Sequence, residues 1–166
     1  CYSVKKILDR NEDLINLFKF EFYGNWIGNQ KWKPSNIGLN ESIIEFIPPK
    51  TYLESLELMS SSDFLLIIDA PFEKSVFFPS KLVDYIGSKK PIIAITPPGT
   101  SEEILKKNNA IIINPLRNDI DVSLESALIK IKKGQIDYKE DYYDSSFSSD
   151  SVGKEFEKII ETKLST

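Results

Sequence analysis

Short apolar runs alternate with longer amphipathic stretches along this chain, and that alternation predicts its elements. Residues 18–23 (FKFEFY), 43–47 (IIEFI), 64–68 (FLLII), 91–95 (PIIAI) and 110–113 (AIII) read as strands. The third and fifth are nearly all apolar, which suits strands buried on both faces of a parallel sheet. Helical spacing covers residues 4–18, 52–60, 80–88, 102–108 and 122–133. A last helix is expected over 152–164, with Val152, Phe156, Ile159, Ile160 and Leu164 on one face. Ser80 is placed to cap the third helix, with Gly87 near its stop, and Ser101 to cap the fourth ahead of Glu102 and Glu103. Residues 137–151 are polar and without period, and read as a loop.

From the second strand onward the order is strand, helix, strand, repeated. Such units need right-handed crossovers and predict an α/β fold: a Rossmann-like, doubly wound parallel sheet in a single domain, 1–166, with helices on both faces. A Rossmann-like domain opens with a strand, whereas this chain opens with helical material. The usual first strand is therefore expected upstream of Cys1, in a longer protein.

Composition narrows the chemistry. The 166 residues carry 21 Lys plus Arg against 25 Asp plus Glu, a net charge of −4, and no histidine. Histidine-based triads, His-ligated zinc and an imidazole switch are excluded within this chain. The single cysteine, Cys1, cannot form an internal disulfide. An acidic balance argues against a nucleic-acid coat, which needs a basic face to displace counterions. No apolar run approaches a membrane span and no secretory leader is evident, so a cytoplasmic, reducing location is expected.

In open parallel sheets ligands bind beyond the carboxyl ends of the strands. Candidate positions are thus Gly24 after the first strand, Pro49 and Lys50 after the second, Asp69 after the third, and the loop with Gly99 after the fourth. Residues 69–80 lead into the third helix behind Pro79. Unpaired amides of Ser80, Lys81 and Leu82, with the Lys81 charge, would make an anion site there. Asp84 lies one turn further, where a carboxylate can accept two bonds from a vicinal diol. Together these predict the footprint of a nucleoside diphosphate.

Plainer readings stand beside each of these. Lys81 and Asp84 can form a surface pair, Gly24 and Gly99 can serve turns, and Asp69 can cap the turn after its strand. Asp119-Ile120-Asp121 has the form of a metal-binding DxD but sits where helix capping explains it. Trp26 and Trp32 can stack on a base, although packing of their own loop accounts for them as well. No metal or cofactor is expected.

Phe46 to Pro49, the helix from Tyr52, Ser62-Asp63 before the third strand, and Pro79-Ser-Lys-Leu-Val-Asp-Tyr-Ile-Gly-Ser-Lys-Lys-Pro-Ile-Ile-Ala together resemble one known family. It is the C-terminal, donor-binding domain of bacterial glycosyltransferases of the GT-B fold, group 1 type, and the likeness runs from about Phe20 to the final helix. The resemblance implies a two-domain enzyme that binds a nucleotide-diphosphate sugar as substrate and transfers the sugar to a cell-surface polysaccharide or glycolipid. Its acceptor-binding half would lie upstream, and that half could associate with the inner face of the membrane. Carried over, Asp84 takes the place of the acid that holds the ribose, Ser80 and Lys81 meet the pyrophosphate, and Pro48 to Lys50 flank the base. Many such enzymes carry a glutamate eight residues before that acid, where this chain has Val76. Glu73 is the nearest substitute, one candidate for a catalytic role and out of register. Two alternatives follow from these departures: a non-catalytic Rossmann-like assembly module, or a domain similar to a sugar-nucleotide epimerase.

Overall fold

A computed structural model describes residues 1–14, 16–25, 33–136 and 147–164. Helix α1 (Tyr2–Arg10) is followed by a 3-10 turn at Glu12–Leu14, strand β1 (Phe20–Tyr23) and a second 3-10 turn at Pro34–Ile37. Then come β2 (Ile44–Ile47), α2 (Tyr52–Ser61), β3 (Leu65–Ile68), α3 (Lys81–Gly87), β4 (Ile92–Ile95), α4 (Thr100–Lys107), β5 (Ile111–Ile113), α5 (Ile120–Lys132) and α6 (Ser149–Leu164).

Among the described residues all strand pairs are parallel, in two sheets of order β1-β2 and β3-β4-β5. Alternation along β4 divides the core. Ile93, fully buried, points to a cluster with Val4 and Ile7 of α1, Phe20, Ile44, and Leu124, Ala127 and Leu128 of α5. Ile92 and Ala94 point the other way, to Leu65, Ile67, Leu82 and Ile86 around α3 and to Leu105 of α4. Helices therefore cover both faces, and the fold is Rossmann-like.

The first helix is shorter than the 4–18 pattern predicts. Asn11 leaves helical geometry at φ −145 and ψ 83, so Leu14 reaches the core from a 3-10 turn rather than from one long helix. Across the fold, Arg10 donates to Asp121 at 2.5 Å and to Glu125 at 2.9 Å, tying α1 to α5. The Arg10 guanidinium holds the Asp121 carboxyl below its ordinary range. Capping does not account for the Asp-Ile-Asp triplet: Asp119 occupies the N-cap position without a side-chain cap bond and pairs with Arg117 at 2.6 Å.

The last helix begins three residues before its predicted start, taking up residues 149–151 of the predicted loop, and residues 137–146 lie outside the described residues. Its Val152, Phe156, Ile159 and Ile160 are exposed. No helix among the described residues is long and apolar enough to cross a membrane.

Candidate functional site

The carboxyl ends of β2 and β3 each lead into a helix, and one hydrogen bond joins the two helix starts. After β2 the exposed turn with Pro49 and Lys50 runs into Thr51, whose hydroxyl accepts from the Glu54 amide while the Glu54 carboxylate accepts from the Thr51 amide at 2.8 Å. This reciprocal capping box fixes where α2 begins. Its first residue, Tyr52, then reaches across to α3: the Tyr52 hydroxyl donates to Asp84 Oδ1 at 3.1 Å. That bond, and the Asp84 charge behind it, raise the Tyr52 pKa, so the phenol is a protonated donor at neutral pH. Burial and the same carboxylate raise that of Tyr85, the next residue on α3.

Asp84 also lines a cleft of about 390 Å³ between α2 and α3, with Leu56 and Met59 on one side and Phe147 closing it. The Phe147 ring stacks on Phe78 at 6.1 Å between centroids. Sequence patterning singles out Asp84 and Lys50 but misses Tyr52. The available signal was an aromatic residue directly after a Thr-x-x-Glu box.

The start of α3 departs from expectation. Ser80 occupies the N-cap position in helical geometry and makes no side-chain cap bond, because an α-region backbone does not aim its hydroxyl at the first-turn amides. Nor is the Leu82 amide free: it donates to the Pro79 carbonyl at 2.9 Å, and the Leu82 side chain is fully buried core. Lys81 is exposed, and Gly87 is the last residue of the helix. The left-handed turn that follows falls instead on Lys89, at φ 57.

Asp69 is tied to the neighbouring strand rather than to its own turn. Its carboxylate accepts from the Thr96 hydroxyl at 2.6 Å and its amide donates to Ile95 at 2.9 Å, which locks the ends of β3 and β4 together. Thr96 is completely buried.

Between Asp69 and α3 the chain is pinned at Ser75, which forms a parallel bridge with Gly99. Ser75 donates its amide to Pro98 at 2.9 Å and accepts from the Thr100 amide at 3.1 Å. Gly99 is at φ +142, and a Cβ there would lie 1.8 Å from the Ser75 carbonyl oxygen, so glycine is required for backbone approach to backbone. Ser101, expected as a cap, lies inside α4, where it is buried and donates to the Phe77 carbonyl at 2.8 Å. Glu73, Phe72, Val76 and Phe77 are exposed along this segment. Gly24 ends β1, donating to Ile47 at 3.0 Å. Trp26 and Trp32 lie outside the described residues, and among the described residues no group of three His, Cys, Asp or Glu could hold a metal.

No protein-family model and no curated sequence matches the chain. Among solved structures it is similar to the crystal structure titled GtfA/B complex, with a TM-score of 0.70 at 9% identity. The match takes in 96% of this chain and 32% of that one, so this chain spans about a third of its neighbour's length. At that identity the likeness speaks for the fold alone, and it agrees with the Rossmann-like arrangement of parallel strands and helices.

Proposed function

We propose that this chain is the donor-binding lobe of a glycosyltransferase that grips a nucleoside-diphosphate sugar at the starts of α2 and α3. The observation that carries the reading is the Tyr52–Asp84 bond at the carboxyl ends of parallel strands, where open α/β sheets take their ligands. Tyr52 is the only side-chain partner of Asp84 among the described residues, so the carboxylate keeps acceptor capacity for a ribose diol. Pro49 and Lys50 would flank the base, and Gly24 and Asp69 mark the neighbouring strand ends.

With α3 short and the Leu82 amide already engaged, the charge on the diphosphate falls chiefly to the Lys81 ammonium, helped by the Ser80 amide behind Pro79. Stabilising the departing diphosphate by fixed positive charge is an electrostatic mode of catalysis. It calls for no metal from this lobe. Glu73, on the exposed segment before α3, is the carboxylate offered to the sugar. The acceptor, a polysaccharide or glycolipid, would be held by a separate N-terminal half, which would also bring any contact with the inner membrane face.

A second reading, a non-catalytic assembly module, draws support from Val76, which is 85% exposed where the resembled enzymes carry an acid. Titration calorimetry with UDP, GDP and ADP and their sugars separates the two. Binding of one of them, weakened about tenfold or more by Asp84→Ala (about 1.4 kcal/mol) and less by Tyr52→Phe, is expected. Silence with every nucleotide would leave the assembly module as the better reading.

A further inference from the structure

The bond between Tyr52 and Asp84 marks the end of the α2–α3 cleft at which both helices begin. Beyond it the walls are apolar. On α2, Leu56 and Met59 follow Tyr52 at helical spacing and so share its face, and α3 contributes Val83 and Ile86. Phe147 closes the cleft with a ring braced against Phe78. The volume, about 390 Å³, is that of a small-molecule site.

The polar groups in this cleft have one property in common. Among the described residues the polar side chains lining it are Asp84, Ser60 and Ser88. The Ser60 hydroxyl donates to the Leu56 carbonyl at 3.0 Å, and the Ser88 hydroxyl donates to the Tyr85 carbonyl at 2.7 Å. Such bonds to the preceding turn spend the one proton a hydroxyl has, so both oxygens can only accept, as a carboxylate does. The described side chains thus offer apolar walls and acceptors, with no donor among them. A ring carbonyl placed here would lose water and gain no partner, whereas an amino group would find acceptors waiting.

We propose that this cleft receives the base of the nucleotide and selects one with an amino group at the edge away from the ribose, adenine or cytosine, over guanine and uracil, which carry an oxo group there. The inference rests on the reading that Asp84 holds the ribose. With the ribose at Asp84, a base flanked by Pro49 and Lys50 continues between the two helices, where a flat ring suits the apolar walls. Ser88 lies one turn beyond Asp84, about 6 Å along the helix axis, which places its oxygen at the far edge of such a ring. Ser60 follows Leu56 by one turn on the facing helix and offers the second acceptor.

Titration calorimetry on the full chain with two matched pairs, CDP against UDP and ADP against GDP, tests it. CDP and ADP are each expected to bind about tenfold or more tighter than their oxo counterparts. Two variants address the cleft itself. Ser60→Ala with Ser88→Ala removes both acceptors and should reduce the preference to about twofold or less, and Met59→Trp, which fills the cleft, should bring CDP and ADP down to the level of UDP and GDP. Equal affinity within either pair, or tighter binding of its oxo member, would overturn the base assignment and leave nucleotide binding standing. A preference that survives both variants would overturn it too, because the base would then lie elsewhere. Silence with all four nucleotides would overturn both this assignment and the reading on which it rests.

Discussion

The β1-β2 sheet and the β3-β4-β5 sheet solve the same packing problem with different residues. In β4 the three residues Ile92, Ile93 and Ala94 are all buried, because helices cover both faces and strands flank both edges. In β1 and β2 the strands instead carry Glu21 and Glu45, which stand directly opposite in the register. Like charges so placed repel. Lys19 relieves this by reaching both carboxylates, at 2.7 and 2.6 Å, and its ammonium, with the Tyr23 hydroxyl, holds the Glu21 carboxyl below its ordinary range. The difference teaches that the larger sheet is stabilised by apolar burial, while the smaller one depends in part on charge at its outer surface.

The sharpest way to break this contrast is to make the same cut in both sheets. Ile93→Ala removes a fully buried side chain from β4 and is expected to cost about 2–5 kcal/mol in denaturant unfolding. Ile47→Ala, at a half-buried end of β2, should cost clearly less. Equal losses would show that burial does not distinguish the sheets.

A smaller effect is expected from Gly99→Ala, about 1–3 kcal/mol for backbone strain at a positive φ with a carbonyl in the way. It should be accompanied by faster exchange of the Ser75 and Thr100 amides. An unchanged unfolding midpoint would mean that the Ser75–Gly99 contact is dispensable.

The smallest effect belongs to Lys19→Gln, and its signature is pH dependence. The folded pKa of Glu21 is depressed, so its contribution is present above the unfolded value and is lost as pH falls through the folded one. The gap in melting temperature between wild type and Lys19→Gln should accordingly be open at neutral pH, narrow in acid and shrink with added salt. A gap that stays constant from neutral to strongly acid pH would show that Lys19 acts by packing.

Much of this architecture could be read from residue patterns. The described strands were legible as short runs rich in Ile, Leu and Phe, nearly all apolar in β3 and β5 but interrupted by Glu21 and Glu45 in β1 and β2, and α3 to α5 fall within two residues of their periodic stretches. The break at Asn11 was not legible, because Leu14, Leu17 and Phe18 continue an apolar spacing that the chain realises without a helix. Ser80 and Ser101 show the limit of cap-finding by residue type. A serine caps only where the backbone lets its hydroxyl face the first amides; Ser80 has a helical backbone instead, and Ser101 lies inside α4 with its hydroxyl on the Phe77 carbonyl. At the site, Asp84 could be picked out because a carboxylate one turn into a helix is a local pattern. Its partner Tyr52, 32 positions away, could not, and neither could Thr96, whose tie to Asp69 depends on strand register.

Ser75 divides the excursion between Asp69 and α3 into two short tethers. Closing two small loops from a fixed midpoint confines each half more than one long loop would be confined, and the midpoint is fastened to the start of α4. Displacement of the Glu73 half would therefore pull on α4 before it reached α3.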